Sequence, residues 1–326
     1  MLGSRIRRIS RSGLSFIAMF WHGAGMKQCL SLRGIMTAFN TPFTDANELD
    51  AAALRRHLRK ALAAGVAGFL VPAMASEVDK LSAAEREVFV ATVLDEAKGR
   101  AIVIGGASAA SGAERVRLAQ GLVAAGCDGV LVSIPYENEK QYVSAVREVD
   151  DTGPPFLMLQ DWDPQGYGVP VTTLVGLFET VESVRAVKVE VVPAGRKYSE
   201  LLAATGGRLH VSGGWAVMQM IEALDRGVHA FMPTAIHTVY VRIYRLHAAG
   251  DRQGACDLFA KLLPVLAFAN QHLDISIHFF KRLLHAQGIY PTPAVRPPIL
   301  PFDDAHARMA QELIGLACAL ETELDG

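Results

Sequence analysis

Lys188 stands in Val184-Arg185-Ala186-Val187-Lys188-Val189-Glu190, an apolar, β-branched run that predicts a buried strand carrying one ammonium. Burial disfavours the charged form of an amine and pulls its pKa down. A neutral amine held in a pocket is a nucleophile towards carbonyl carbon, which is the chemistry of Schiff-base enzymes. The same seven residues also fit a lysine at a strand end, reaching to solvent or paired with Glu190. No second chemistry competes at the level of spacing. Cys29, Cys127, Cys256 and Cys318 form no CxxC pair, and the ten histidines show no HExxH or other paired ligand spacing. We therefore expect no metal and no cofactor.

A lysine of this kind needs a scaffold that buries it and leaves a ketone access. From Gly34 onward, short apolar β-like runs alternate with helical patterns every 25–30 residues or so, roughly the βα repeat. The predicted strands are Gly34–Phe39, Gly65–Val71, Ala101–Gly105, Gly129–Ile134, Phe156–Gln160, Arg185–Val189, Leu209–Gly213 and Val228–Met232. Asp50 is placed to cap the first helix, Ser82 and Glu85 form a capping box, and Gly126 closes the third helix. Eight such units without a GxGxxG turn predict an α/β fold, a (β/α)8 TIM barrel. Residues 31–250 would form the barrel. Residues 251–326 would form a C-terminal helical extension packed on it, interrupted by the Pro-rich link from Tyr290 to Pro301. In such barrels the chemistry sits at the C-terminal strand ends. Those ends include Met74-Ala75-Ser76-Glu77, Pro135-Tyr136-Glu137, Gln160-Asp161-Trp162, Lys188-Val189-Glu190 and Ser212-Gly213-Gly214-Trp215.

Composition narrows the function classes. The 326 residues are 51% hydrophobic and 20% charged, with a formal net charge of -1. A large core is expected, and no electrostatic footprint for nucleic acid or an anionic membrane surface. Scattered cysteines suit a reducing cytoplasm. Residues 1–30 carry Arg5, Arg7, Arg8 and Arg11 before the apolar stretch Leu14 to Trp21, superficially like a signal peptide. His22-Gly23 breaks that stretch and no small-residue cleavage site follows, so we read a dispensable extension.

With these residues in order, the chain resembles the dihydrodipicolinate synthase / N-acetylneuraminate lyase family of class I aldolases. The resemblance runs from about Gly34 to Phe302. It rests on Thr41-Pro42-Phe43, on Ala73 to Glu77 followed by Leu81-Ser82 and Glu85-Arg86, and on Pro135-Tyr136. It continues through Val187-Lys188-Val189-Glu190, Ser212-Gly213-Gly214 and Arg296-Pro297-Pro298. It implies that Lys188 condenses with the ketone of a 2-oxo acid such as pyruvate, and that the imine serves as an electron sink. It further implies that backbone N–H groups near Met74 to Ser76 hold the substrate carboxylate, and that the protein is a homodimer or homotetramer.

Departures from the family pattern carry information too. Both threonines of the family turn are replaced, by Met74 and Ala75. The relay tyrosine expected at the fifth strand end is absent, with Leu159, Gln160 or Asp161 in its place. The second tyrosine of the PYY element is Glu137, and Pro164 to Gly168 contains no arginine. A substitute acid or base is needed. Asp161 is the first candidate, although Asp161-Trp162-Asp163-Pro164 also reads as a turn. Tyr136 carries over from the family, with subunit packing as its other reading; Glu137 and Glu77 are further candidates. Ala75, Ser76, Gln160, Gly213 and Trp215 are expected to contact substrate. Met74, Leu159, Trp162 and Trp215 would make the mouth apolar. The expected function is a Schiff-base-forming lyase on a small 2-oxo acid. The alternatives are a non-catalytic 2-oxo-acid-binding barrel, or a dihydrodipicolinate synthase despite the missing tyrosine and arginine.

Overall fold

Eight short strands close on themselves in sequence order, every pair parallel, and the computed structural model describes residues 32–325. The predicted extension of residues 1–30 lies outside the described residues. The strands are β1 (Gly34–Thr37), β2 (Gly68–Val71), β3 (Ile102–Gly106), β4 (Gly129–Ser133), β5 (Leu157–Asp163), β6 (Val184–Val191), β7 (His210–Gly213) and β8 (Ala230–Phe231). Each is followed by a helix: α1 (Ala51–Ala64), α2 (Ala83–Ala97), α3 (Gly112–Ala125), α4 (Glu139–Asp150), α5 (Val171–Thr180), α6 (Ala194–Ala204), α7 (Met220–Asp225) and α8 (His237–Ala248). Three more follow among the described residues: α9 (Arg252–Ala269), α10 (Leu273–Ala286) and α11 (Asp304–Asp325).

The helix starts are where the sequence puts them. Asp50 accepts from the Ala53 amide at 2.9 Å. Ser82 and Glu85 bond reciprocally to each other's backbone N–H, and Gly126 ends α3. β5 and β6 run past their predicted ends, to Asp163 and Val191, and so stand above the other strands at the mouth.

Strand alternation sorts the side chains into two layers. Met36, Leu70, Ile104, Leu131, Met158 and Ala186 fill the barrel interior. Val187, Val189, Leu157 and Leu159 pack outward against the helices. Burying each such aliphatic side chain stabilises the fold by about 1.5–3 kcal/mol. The interior layer also fills the barrel beneath Lys188.

The C-terminal region is fastened to the early loops by charge. Glu77, fully buried after β2, makes a very short ion pair with Lys281 of α10 and accepts from the Arg296 amide at 2.8 Å. The Arg296 guanidinium pairs with Glu85 at 2.6 Å and lies over the Phe43 ring. Glu77, a proton-transfer candidate by sequence, is therefore a tie between two parts of the chain. Burial lowers the Lys281 amine to about 8, an effect the Glu77 carboxylate partly offsets.

Candidate active site

β5 and β6 pair with Gln160 opposite Lys188 and Trp162 opposite Glu190. A register shift at Leu157/Met158 sets this phase: Leu157 faces Val184, the next residue faces Ala186, and Arg185 is skipped. Above the shift, Met158, Gln160 and Trp162 share the inner face with Ala186, Lys188 and Glu190. The Lys188 Nζ lies 3.0 Å from Glu190 Oε2, with side-chain exposures of 9% and 5%. Gln160 Nε2 donates to the same carboxylate oxygen at 2.6 Å. Amine, carboxylate and amide thus form one hydrogen-bonded row across two strands.

Gly214 makes the row sterically possible. A Cβ there would fall well inside van der Waals contact of both the Glu190 carboxylate and Lys188 Cε. The residue after β7 must be glycine for the two side chains to cross it.

A cavity of about 70 Å3 opens beside the pair, lined by Lys188 and Glu190 together with Met74, Ala75, Trp162 and Thr234 among others. A second space of about 30 Å3 touches Lys188 from the side of Gln160, Ala73 and Met74. The lysine is paired, as one sequence reading allowed, yet it still borders open volume. The far wall of the larger cavity comes from the C-terminal helices, through Leu273, Ser276 and Phe280 of α10 and Asn270 just before it. The helical extension, expected to pack on the barrel, thus also closes its mouth.

The turn after β2 is held by its neighbours. Asn40 Nδ2 donates to the Ala75 carbonyl at 2.7 Å and Thr41 Oγ1 to the Ser76 carbonyl at 2.6 Å. Ala75 lines the cavity. Ser76 does not reach it: its hydroxyl donates to the Phe39 carbonyl and accepts from the Ala73 amide, fixing the turn. Gly213 ends β7, its carbonyl bonded to the Met232 amide, and its neighbour Gly214 is the cavity residue. Trp215 begins the 3-10 turn Trp215–Gln219, and its side chain lies outside the described residues.

Asp161 is placed away from the lysine, contrary to its expected position. It sits on the outer face of β5, buried, 2.5 Å from Lys197 of α6, and accepts from the Val169 amide. Burial raises its carboxyl and lowers the Lys197 amine, each charge offsetting part of the other's shift. Lys197 is fully buried and serves as the internal partner of Asp161. Tyr136 packs its ring edge-on against Tyr142 at 5.5 Å, and neither ring lines the cavity. Of the apolar mouth expected from sequence, Met74 and Trp162 are present, whereas Leu159 faces the helices. His229 and His237 are both core residues.

Glu190 is the residue at the centre of this row that sequence reasoning undervalued, treating it as a possible lysine partner only. Its signal was the strand period of two, which places it on the Lys188 face. Tyr240, Asn270 and Phe280 had no local signal, because a helical sequence does not reveal which surface it caps.

The family model of the dihydrodipicolinate synthetase family matches residues 31–316. Among curated proteins, the 4-hydroxy-tetrahydrodipicolinate synthase of Salinibacter ruber is 26% identical over 86% of this chain and 93% of its own. That of Methylobacterium radiotolerans is 27% identical over 87% and 95%. The crystal structure of dihydrodipicolinate synthase from Rhodopseudomonas palustris superposes with a TM-score of 0.80 at 24% identity, over 87% of this chain and 97% of the other, a likeness of fold.

Proposed function

The chain belongs to the dihydrodipicolinate synthetase family and is a lyase of the class I aldolase type; we propose that Lys188 is its nucleophile and a 2-oxo acid its substrate. The observation that carries this reading is a shielded amine bordering open volume at the barrel mouth, 3.0 Å from a carboxylate. In the proposed cycle Glu190 takes a proton from the Lys188 ammonium, the freed amine adds to the ketone carbon, and a second amine proton passes to the former ketone oxygen to give the carbinolamine. Glu190 returns the proton to the carbinolamine hydroxyl, which leaves as water, and the C=N bond forms. The resulting iminium accepts the electron pair of the C3–H bond, whose proton passes to the Glu190 carboxylate, or of the C3–C4 bond, in which case the C4 hydroxyl gives its proton to Glu190 and C4 leaves as a carbonyl; either break gives an enamine. Gln160 steadies the carboxylate through its 2.6 Å hydrogen bond. The backbone around Met74 and Ala75 receives the substrate carboxylate. This assigns to Glu190 the proton transfers first sought at Asp161 and Tyr136.

We place this activity in the cytoplasm, on the scattered cysteines, and in a homodimer or homotetramer, on the family resemblance. Among the described residues no helix is long and apolar enough to cross a membrane. A second reading, the synthase activity of the named relatives, is favoured by their names and opposed by the absence of arginine from Pro164 to Gly168. Formation of 4-hydroxy-tetrahydrodipicolinate by the purified protein would decide for it.

The test of the main reading is hydrogen–deuterium exchange at the pyruvate methyl group in D2O, followed by NMR. Enamine formation predicts exchange well above the buffer rate, lost in Lys188→Ala. Exchange at the buffer rate in the wild type would overturn the proposal for pyruvate-type substrates.

A further inference from the structure

Two buried donors on residues that line the cavity have no partner. The Tyr240 hydroxyl, on a side chain with 0% exposure, and the Asn270 Nδ2 are both buried without a hydrogen bond, and both residues line the cavity that Lys188 enters. An orphaned buried donor is costly, so such groups normally meet a ligand or water. Thr234 and Ser276 bring two more hydroxyl side chains to the same walls, between the apolar surfaces of Trp162, Met232 and Phe280. The only charged residues lining this cavity, among the described residues, are Lys188 and Glu190, which neutralise each other.

We propose that Tyr240 and Asn270 form a subsite for an uncharged hydrogen-bond acceptor on the distal part of the substrate. The favoured ligand class is a 2-oxo acid whose chain ends in a carbonyl, ester or ether rather than a second carboxylate. This inference rests on the imine reading of Lys188 and narrows its substrate. A second carboxylate would enter a largely apolar space with no cation to receive it, where an unpaired charge is strongly disfavoured. A purely apolar chain would leave both donors unsatisfied. Burial raises the Tyr240 phenol far above its ordinary range, so it remains a donor at any working pH.

The test is borohydride trapping on the full-length protein, read by mass spectrometry as half-saturating concentration. Four probes are used: pyruvate, the C5 methyl ester of 2-oxoglutarate, 2-oxoglutarate itself and 2-oxoheptanoate. The ester is expected to saturate at a concentration about tenfold or more below the dicarboxylate and about five- to tenfold below the alkyl acid, the scale of one or two hydrogen bonds. Tyr240→Phe and Asn270→Leu should each shrink the ester-to-alkyl preference about fivefold. Equal trapping of the three longer acids, or a preference for the dicarboxylate or alkyl acid, overturns the subsite even without the variants. So does a preference that folded variants leave unchanged. An adduct with pyruvate in those cases shows that the imine reading survives alone. No adduct with any probe removes both.

Discussion

At the scale of single residues, the chemistry turns on which carboxylate serves Lys188. Asp161 and Glu190 are both buried and both paired with a lysine, but on opposite sides of the barrel wall. Their substitutions should separate cleanly. Glu190→Gln keeps shape and hydrogen bonding but cannot carry a proton; it should slow turnover by about 10²–10⁴-fold, and should lower melting less than Asp161→Ala does because Lys188 borders the cavity and can shed its charge, measured by steady-state exchange and melting. Asp161→Ala strands the Lys197 charge in the core and should destabilise by about 3–5 kcal/mol in denaturant unfolding. Folded Asp161→Ala protein should retain the Lys188 adduct. Lys188 was legible in sequence because a lone cation in a β-branched run conflicts with its surroundings. The choice between Asp161 and Glu190 was not, because it depends on the face of each strand, and a skipped residue at Arg185 sets that phase.

At the scale of elements, the site belongs to β5 and β6 and to the glycine that lets their side chains converge. Gly214→Ala would drive a methyl group into both Glu190 and Lys188. The expected result is a folded protein whose trapping rate with pyruvate falls by about a hundredfold or more, since misplacing a reacting group by about an ångström costs that much. The eight strands were readable as apolar runs between helix caps such as Asp50 and Ser82. Their lengths were less so: β5 and β6 continue through the charged and polar residues Asp161, Asp163 and Glu190, which sequence composition alone assigns to loops. Gly168 shows the same tertiary dependence, its φ of +66° and its closeness to the Asp161 carboxylate both excluding a larger residue.

At the scale of the whole molecule, buried histidines and the Glu77 tie link barrel, termini and stability. His57 bridges His237 at 3.0 Å and the Tyr290 hydroxyl at 3.0 Å, joining α1, α8 and the C-terminal link. Burial depresses all of these imidazoles: His57 well below its ordinary value, and His237 and His210 to about 3; His229 falls to about 4. The unfolded chain binds these protons near the ordinary histidine value of about 6.5, whereas folded His210 and His237 refuse theirs until about pH 3 and His229 until about pH 4. Their contribution to stability is therefore complete above the unfolded pKa and is lost as pH falls through that window. Urea unfolding should show stability dropping by about 1.4 kcal/mol per pH unit for each such histidine between pH 6 and 4, approximately. A flat profile there would contradict the buried neutral assignment. Lys281→Met, which leaves buried Glu77 with the Arg296 amide and the more distant Lys80 at 3.7 Å as its remaining partners, should cost about 3 kcal/mol, and adding Glu77→Gln should restore part of it. Nothing in α9 or α10 announced that these helices face the mouth, since their apolar stripes read equally well as packing against any neighbour.

The most direct test of the chemistry is reduction with borohydride in the presence of pyruvate, followed by proteolysis and mass spectrometry. A reduced adduct confined to the peptide bearing Lys188, and absent from Lys188→Arg, is the predicted result. An unmodified Lys188 peptide, or an adduct carried by a different lysine, would contradict it.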